Sequence, residues 1–423
     1  MQRSSVTLTT YLTLALYTVV FSSLCSTSVD AQPIEEAQPP AAIPAEAEPA
    51  APASTLTVTE PPAPAPSPSA EATPPAPPVE IEVPPPPKAD PAPLKLNGWM
   101  HMTNRVQNFK DPQKLNRFSQ ETVVNIHASG QVVDKISYQV GLAAAYGPIS
   151  PDSGSINGSV SILDIIGKLD FDDAFHLWAG RMLVPSDRTN FSGFWFSAPW
   201  YYPGFYYNAI SATNNFFGPP VGPRQGPWGR NDGATIWGQV GGGIFKYYVG
   251  VYDVFSAGNN PLISSRFNLA LINPEPGYFH SSTYYGTKDI LALGASAQYQ
   301  KSKAGADDYS EVSVDLLFEK NLKGAGTIDL EGTFYKYFAT PMDFSYYVLA
   351  SYLTPEKVGY GYLQPLVRLQ QAKPKDDDIW TIVEAQLGYI IAQDAARLAL
   401  GYQYQKAAGV KSNALYLGLQ LLK

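Results

Sequence analysis

The sequence predicts an all-β chain: about sixteen antiparallel strands closed into a transmembrane barrel, preceded by a disordered Pro-rich segment. Three observations predict it. From Leu94 onward, apolar side chains recur at every second position in segments of about 10–15 residues. Those segments exceed the ~5–6 residues usual in soluble sheets and match the ~9–11 that cross a bilayer at a tilt. Beyond Leu94 no stretch is long and apolar enough for a spanning helix, so a chain that crosses a membrane must do so as a closed barrel.

The first 94 residues are a different material from the rest. Of 38 prolines, 21 lie between Pro33 and Pro93. Residues 1–94 also carry the whole formal charge of −8, while the remainder balances 27 bases against 27 acids. That balance leaves no basic face for nucleic acid.

Residues 1–31 read as a secretory signal peptide, with Arg3, the apolar run Tyr11–Leu24 and the cleavage site Val29-Asp30-Ala31. The run is shorter than the ~20 residues a spanning helix needs. Cys25 is the only cysteine, so the processed chain is expected to lack disulfides and thiolate metal sites. Leu24 is large for the small-residue position that precedes a lipidated cysteine. From Gln32 to Pro93 the Pro, Ala and Glu composition cannot bury enough apolar surface to fold. That segment, 32–93, reads as a periplasmic tether. About 62 residues of polyproline II reach at most on the order of 190 Å. It is either a flexible spacer or a contact to peptidoglycan.

Residues 94–423 read as the barrel. Strands are expected to begin near Leu94, Phe118, Val132, Ser155, Ala174, Asn231, Ile244 and Ile263. The remaining eight begin near Thr287, Asp308, Ala325, Asp343, Val358, Asp377, Ala395 and Lys411. Alternation is clearest where Val312, Val314, Leu316 and Phe318 interleave with Glu311, Ser313, Asp315 and Glu319. The short connections 129–131, 241–243, 321–324 and 354–357 fall after even strands, hence on the periplasmic side. The connection 273–286 is long for an inner turn, which leaves fourteen or eighteen strands open. Among 27 Tyr, 19 Phe and 7 Trp, the residues Tyr346, Tyr347, Tyr360, Trp380 and Tyr389 sit at strand ends, where interfacial girdles form.

Between the fifth and sixth strands lies a 47-residue insert, 184–230, dense in Pro, Gly and aromatic rings. A structureless stretch of that length implies a task, and inside a barrel that task is to fold inward and set the bore. It carries Arg188, Arg224 and Arg230 with Asp187. With apolar residues outward, the lumenal set includes Lys135, Lys288, Glu311, Asp315, Glu319, Asp329, Glu331, Arg368, Glu384 and Arg397. Arginines on the insert facing carboxylates on the wall would set a transverse field that filters ions. Alternatively, bidentate pairing with those carboxylates pins the insert. The insert aromatics, among them Trp195, Trp200, Tyr201, Tyr202, Phe205, Tyr206 and Tyr207, either pack it against the wall or form a stacking track for sugars.

The stretches LWAGRMLVPSDRTNFSGFWFSAPW (177–200), GRNDGATIWGQVGGGIFKYYVGVYD (229–253), PEPGYFHSSTYYGTKDILALG (274–294) and GYGYLQPLVRLQ (359–370) resemble the phosphate-selective porin (porin O and P) family. The resemblance implies a sixteen-stranded barrel in the outer membrane of a Gram-negative bacterium. It further implies a homotrimer in contact with outer-membrane lipid, passing small hydrophilic solutes or ions by diffusion. Two departures stand out. The Arg ladder and Lys cluster of phosphate-selective members are not present at that density, and the chain ends in Lys423 where such barrels end in an aromatic residue.

Nothing points to catalysis or a cofactor. The four histidines, His101, His127, His176 and His280, are scattered, with neither His-Glu-x-x-His nor Gly-x-Ser-x-Gly. The expectation is a porin for small solutes, including anions such as phosphate. The alternatives are a sugar-preferring porin and a barrel that mainly tethers the outer membrane to the cell wall.

Overall fold

The computed structural model describes residues 94–109, 117–147, 157–203, 229–253, 260–301, 308–338, 342–407 and 409–423. The expectations placed on residues 1–93, on Arg224 and on Phe205, Tyr206 and Tyr207 lie outside the described residues.

Sixteen antiparallel strands close into one barrel. The first eight are β1 (Lys95–Phe109), β2 (Arg117–Val133), β3 (Ile136–Gly147), β4 (Asn157–Asp172), β5 (Phe175–Leu183), β6 (Arg230–Val240), β7 (Phe245–Tyr252) and β8 (Leu262–Ile272). The circle continues with β9 (Ile290–Gln300), β10 (Tyr309–Asn321), β11 (Thr327–Phe338), β12 (Met342–Leu353), β13 (Tyr362–Pro374), β14 (Trp380–Ala392), β15 (Ala396–Ala407) and β16 (Val410–Leu422). Every expected strand start falls within four residues of the observed one, and sixteen displaces fourteen and eighteen.

Alternation decides which face is wet. On β10, Val312, Val314 and Leu316 point outward and are exposed, whereas Glu311, Ser313 and Asp315 are buried in the interior. The pattern repeats round the barrel, with Phe267, Val348, Val367 and Leu400 outside and Arg266, Gln370 and Arg397 inside. An apolar outside and a charged inside invert the order of a soluble protein and suit a hydrocarbon surrounding.

The seam pairs β1 with β16, from Trp99 opposite Leu422 to Phe109 opposite Ser412. At its end Gly98 and Lys423 exchange backbone hydrogen bonds of 2.8 and 2.9 Å. The barrel's two chain ends therefore share the rim that carries the short turns.

Three expectations are corrected. Residues 129–131 form no turn: β2 runs on to Val133, with Gly130 opposite Tyr138. A Cβ on Gly130 would stand 2.8 Å from the Tyr138 hydroxyl, so the absent side chain makes room for the ring and the strand continues. The actual turn is Asp134-Lys135, where Lys135 takes φ 63° and is exposed at the rim, away from the pore wall. Tyr347, expected in an outer girdle, points inward and is fully buried; Tyr346, beside it, points outward.

Candidate functional site

Two inserts enter the barrel from opposite ends. The first follows β5 and is described from Val184 to Pro203. Its entry is fixed by Asp187, whose side chain accepts from Asn190 N at 3.2 Å and caps a single helical turn, α1 (Arg188–Ser192). Gly193, at φ 58°, ends the turn. Every residue of α1 is buried, and burial pushes the Asp187 carboxyl above its ordinary range, with Asp315 nearby adding to the effect.

The barrel wall grips this insert along its length. Arg266 donates to Ser186 O at 2.9 Å and pairs with Asp315, which in turn accepts from Arg188 N at 3.2 Å. Arg397 reaches Ser197 O and Phe194 O, and Gln420 reaches Trp195 O. Trp200 stacks on His101 at 4.0 Å and donates its indole N–H to Thr103 at 2.9 Å. Arg368, paired with Glu384, donates to Tyr201 O at 3.2 Å. The backbone carbonyls of a non-regular segment need donors once they leave water, and inward arginines supply them.

The second insert, 273–289, connects β8 to β9 from the short-turn rim. Its length, out of place for an inner turn, is explained by its course: it climbs into the lumen. Left-handed backbone at Asn273, Gly277, Tyr285 and Gly286 folds it back on itself. Glu319 accepts from Thr283 Oγ1 at 2.8 Å and from Tyr284 N and Gly286 N at 2.7 Å each. Glu331 accepts from Ser282, and Lys246 donates to Gly277 O at 3.0 Å.

Inside the barrel the inserts meet. Arg188 makes two parallel hydrogen bonds to Glu275, at 2.8 and 2.7 Å, and a third to Ser281 O at 2.8 Å. Ser282 N donates to Phe196 O at 2.9 Å, and Ala198 N to Ser282 Oγ at 3.1 Å. Burial alone would raise the Glu275 carboxyl, but the Arg188 guanidinium and its hydrogen bonds hold it well below the usual range. Burial, with Lys246 nearby, keeps the neighbouring His280 imidazole neutral by depressing its pKa well below the ordinary value.

Between the inserts and the β1–β4 wall a cavity of about 530 Å³ remains. The wall contributes Trp99, Asn125, His127, Gln139 and Asp164; the first insert contributes Trp195, Phe196 and Tyr202; the second contributes Phe279, Tyr284 and Lys288. Arg230, where the first insert rejoins the wall, donates to Asp164 at 3.3 Å. A register shift between Gly141 and Leu142 leaves Leu163 without a partner on β3 and puts both Leu163 and Asp164 on the cavity lining.

The structure thus divides the sequence-derived residues. Arg230, Lys288, Trp195 and Tyr202 border the cavity. Arg188, Asp315, Glu319, Glu331, Arg368, Glu384 and Arg397, with Asp187, Trp200 and Tyr201 of the first insert, take part in the hydrogen bonds and ion pairs that hold the inserts. Glu311 takes the Tyr309 hydroxyl and Asp329 takes Ser351. His127, Asp164 and Glu275 were missed: alternation flags an inward side chain and says nothing of what it meets.

A closed sixteen-stranded barrel is a fold that this chain shares with solved structures. Among solved structures, the chain is similar to OprB of Pseudomonas putida at 10% identity, covering 79% of this chain and 94% of that one with a TM-score of 0.56. It is also similar to a mutant porin of Rhodopseudomonas blastica (11% identity, 78% and 100% covered, TM-score 0.46). A loop-deletion mutant of OmpT, an outer membrane protein of Vibrio cholerae, gives 12% identity, 78% and 99% covered, and a TM-score of 0.48. At such identities the likeness is one of fold. No family model matches the chain, and no curated protein matches it.

Proposed function

We propose that the chain is a passive channel of a Gram-negative outer membrane, through which small hydrophilic solutes or ions diffuse. The supporting observation is the cavity of about 530 Å³ left between the inserts and the β1–β4 wall, while residues of β10 and β13 help to hold the inserts. The apolar exterior suits a lipid surrounding, many of the interior charges fix the inserts, and the unfilled side is the proposed path. Adding purified protein to a planar bilayer is expected to give stepwise ion conductance. Absence of any conductance would reject the channel and favour a barrel that serves as an anchor.

A second reading, a preference for sugars, is favoured by the lining. Trp99 and Trp195 lie 5.6 Å apart between ring centroids, and Trp99 meets Phe196 edge-on at 5.5 Å. Beside them Asn125, Gln139 and Asp164 offer polar partners. Ring faces pack against the apolar faces of sugars while amides and carboxylates take hydroxyls. Liposome swelling that is faster for a disaccharide than for a zwitterion of equal size would select this reading.

A further inference from the structure

Resting on the diffusion reading, the geometry points to a second constriction: we propose that insert 273–289 forms it, and that Lys288 on it is the residue that biases which ions pass.

The insert has two sides. One is bonded to the wall through Glu319, Glu331 and Lys246 and to the first insert through Glu275. The other presents Phe279, Tyr284 and Lys288 to the cavity. A solute in this cavity meets those three residues.

The charges along the cavity are unequal in kind. Asp164 and Arg230 neutralise one another at 3.3 Å. Lys288 takes part in no ion pair among the described residues: its ammonium donates to Pro274 O at 2.9 Å and lies 3.9 Å from the Tyr284 ring centroid. A backbone carbonyl and a ring face orient the ammonium without cancelling its charge. A cation on the cavity lining that is paired directly with no carboxylate attracts anions and repels cations.

The test uses the full chain in planar bilayers under a potassium chloride gradient. Lys288→Glu is expected to move the permeability ratio about threefold toward potassium, with Lys288→Gln part of the way. On a Cys25→Ser background, Lys288→Cys supplies the only thiol. A negatively charged methanethiosulfonate added to the open channel should then shift the ratio the same way, a response a purely structural lysine would not give. If the wild type conducts and Lys288→Glu keeps its ratio, or the reagent leaves the current unchanged, the inference is overturned while the channel stands. A silent wild type overturns both.

Discussion

Arg188 and Glu275, 87 residues apart in sequence, meet inside the barrel through two parallel hydrogen bonds of 2.8 and 2.7 Å. One belongs to an insert entering from the long-loop end and the other to an insert entering from the short-turn rim. The pair is fully buried, so it is a join between two structures that local sequence could not have brought together.

Removing one partner of a buried ion pair strands the other without water. Arg188→Met or Glu275→Met alone should therefore cost about 3–5 kcal/mol, and the double replacement Arg188→Met with Glu275→Met distinctly less than the sum. Thermal unfolding in detergent, read by loss of the folded band on unheated gels, would measure the cycle. A double variant whose loss equals the sum of the two single losses would show that the two residues contribute packing only.

A Cβ built on Gly418 would stand 2.1 Å from the Trp200 indole. Gly418→Ala should push the ring off His101 and lower stability by about 1–3 kcal/mol, as overpacking does. Trp200→Phe combined with Gly418→Ala should recover part of the loss. The measurement is the midpoint of thermal unfolding, checked against a shift in tryptophan emission.

Acid should loosen the join between the inserts. His280 is held neutral in the fold, so below its ordinary value of 6.5 the unfolded chain takes up a proton that the folded one refuses, and stability falls. Glu275 stays ionised when folded, so its contribution is complete above 4.5 and declines as pH falls through its depressed folded value. Each group should thus lower stability on acidification in its own range, and His280→Gln should make the change between pH 7 and pH 5 less destabilising than in the wild type. The same change in melting temperature over that range in both proteins would contradict this.

The ion pair at the cavity edge makes a separate prediction. Arg230→Ala leaves Asp164 facing the cavity without its partner at 3.3 Å. Permeability should shift toward cations, and Arg230→Ala with Asp164→Asn should bring it back. Reversal potentials in a salt gradient read both steps, and an unchanged value for Arg230→Ala would place this pair off the path.

The barrel was largely legible in the sequence because period two is a local property. Val312 and Val314 against Glu311 and Asp315 give the facing of a strand without reference to any other strand. The lumen was less legible. Arg188 could be read as facing the pore or as pinned, and only the path of residues 273–289 shows that its partner is Glu275. Lys135 alternated correctly yet fell in a turn, because β2 passes through Gly130 where a turn residue was expected. Likewise Tyr347 lies at a strand end by position, but its inward pleat takes it to Thr189 and Glu331.

The lopsided filling of the cylinder has a consequence for how such a chain can change over time. Replacements of His127 or Gln139 alter the cavity lining without touching the bonds that keep the inserts in place, whereas Glu319, Arg368 or Arg397 can hardly be exchanged without releasing one of them. Lining residues that carry no bond to an insert are free to drift, while those that hold the inserts stay fixed.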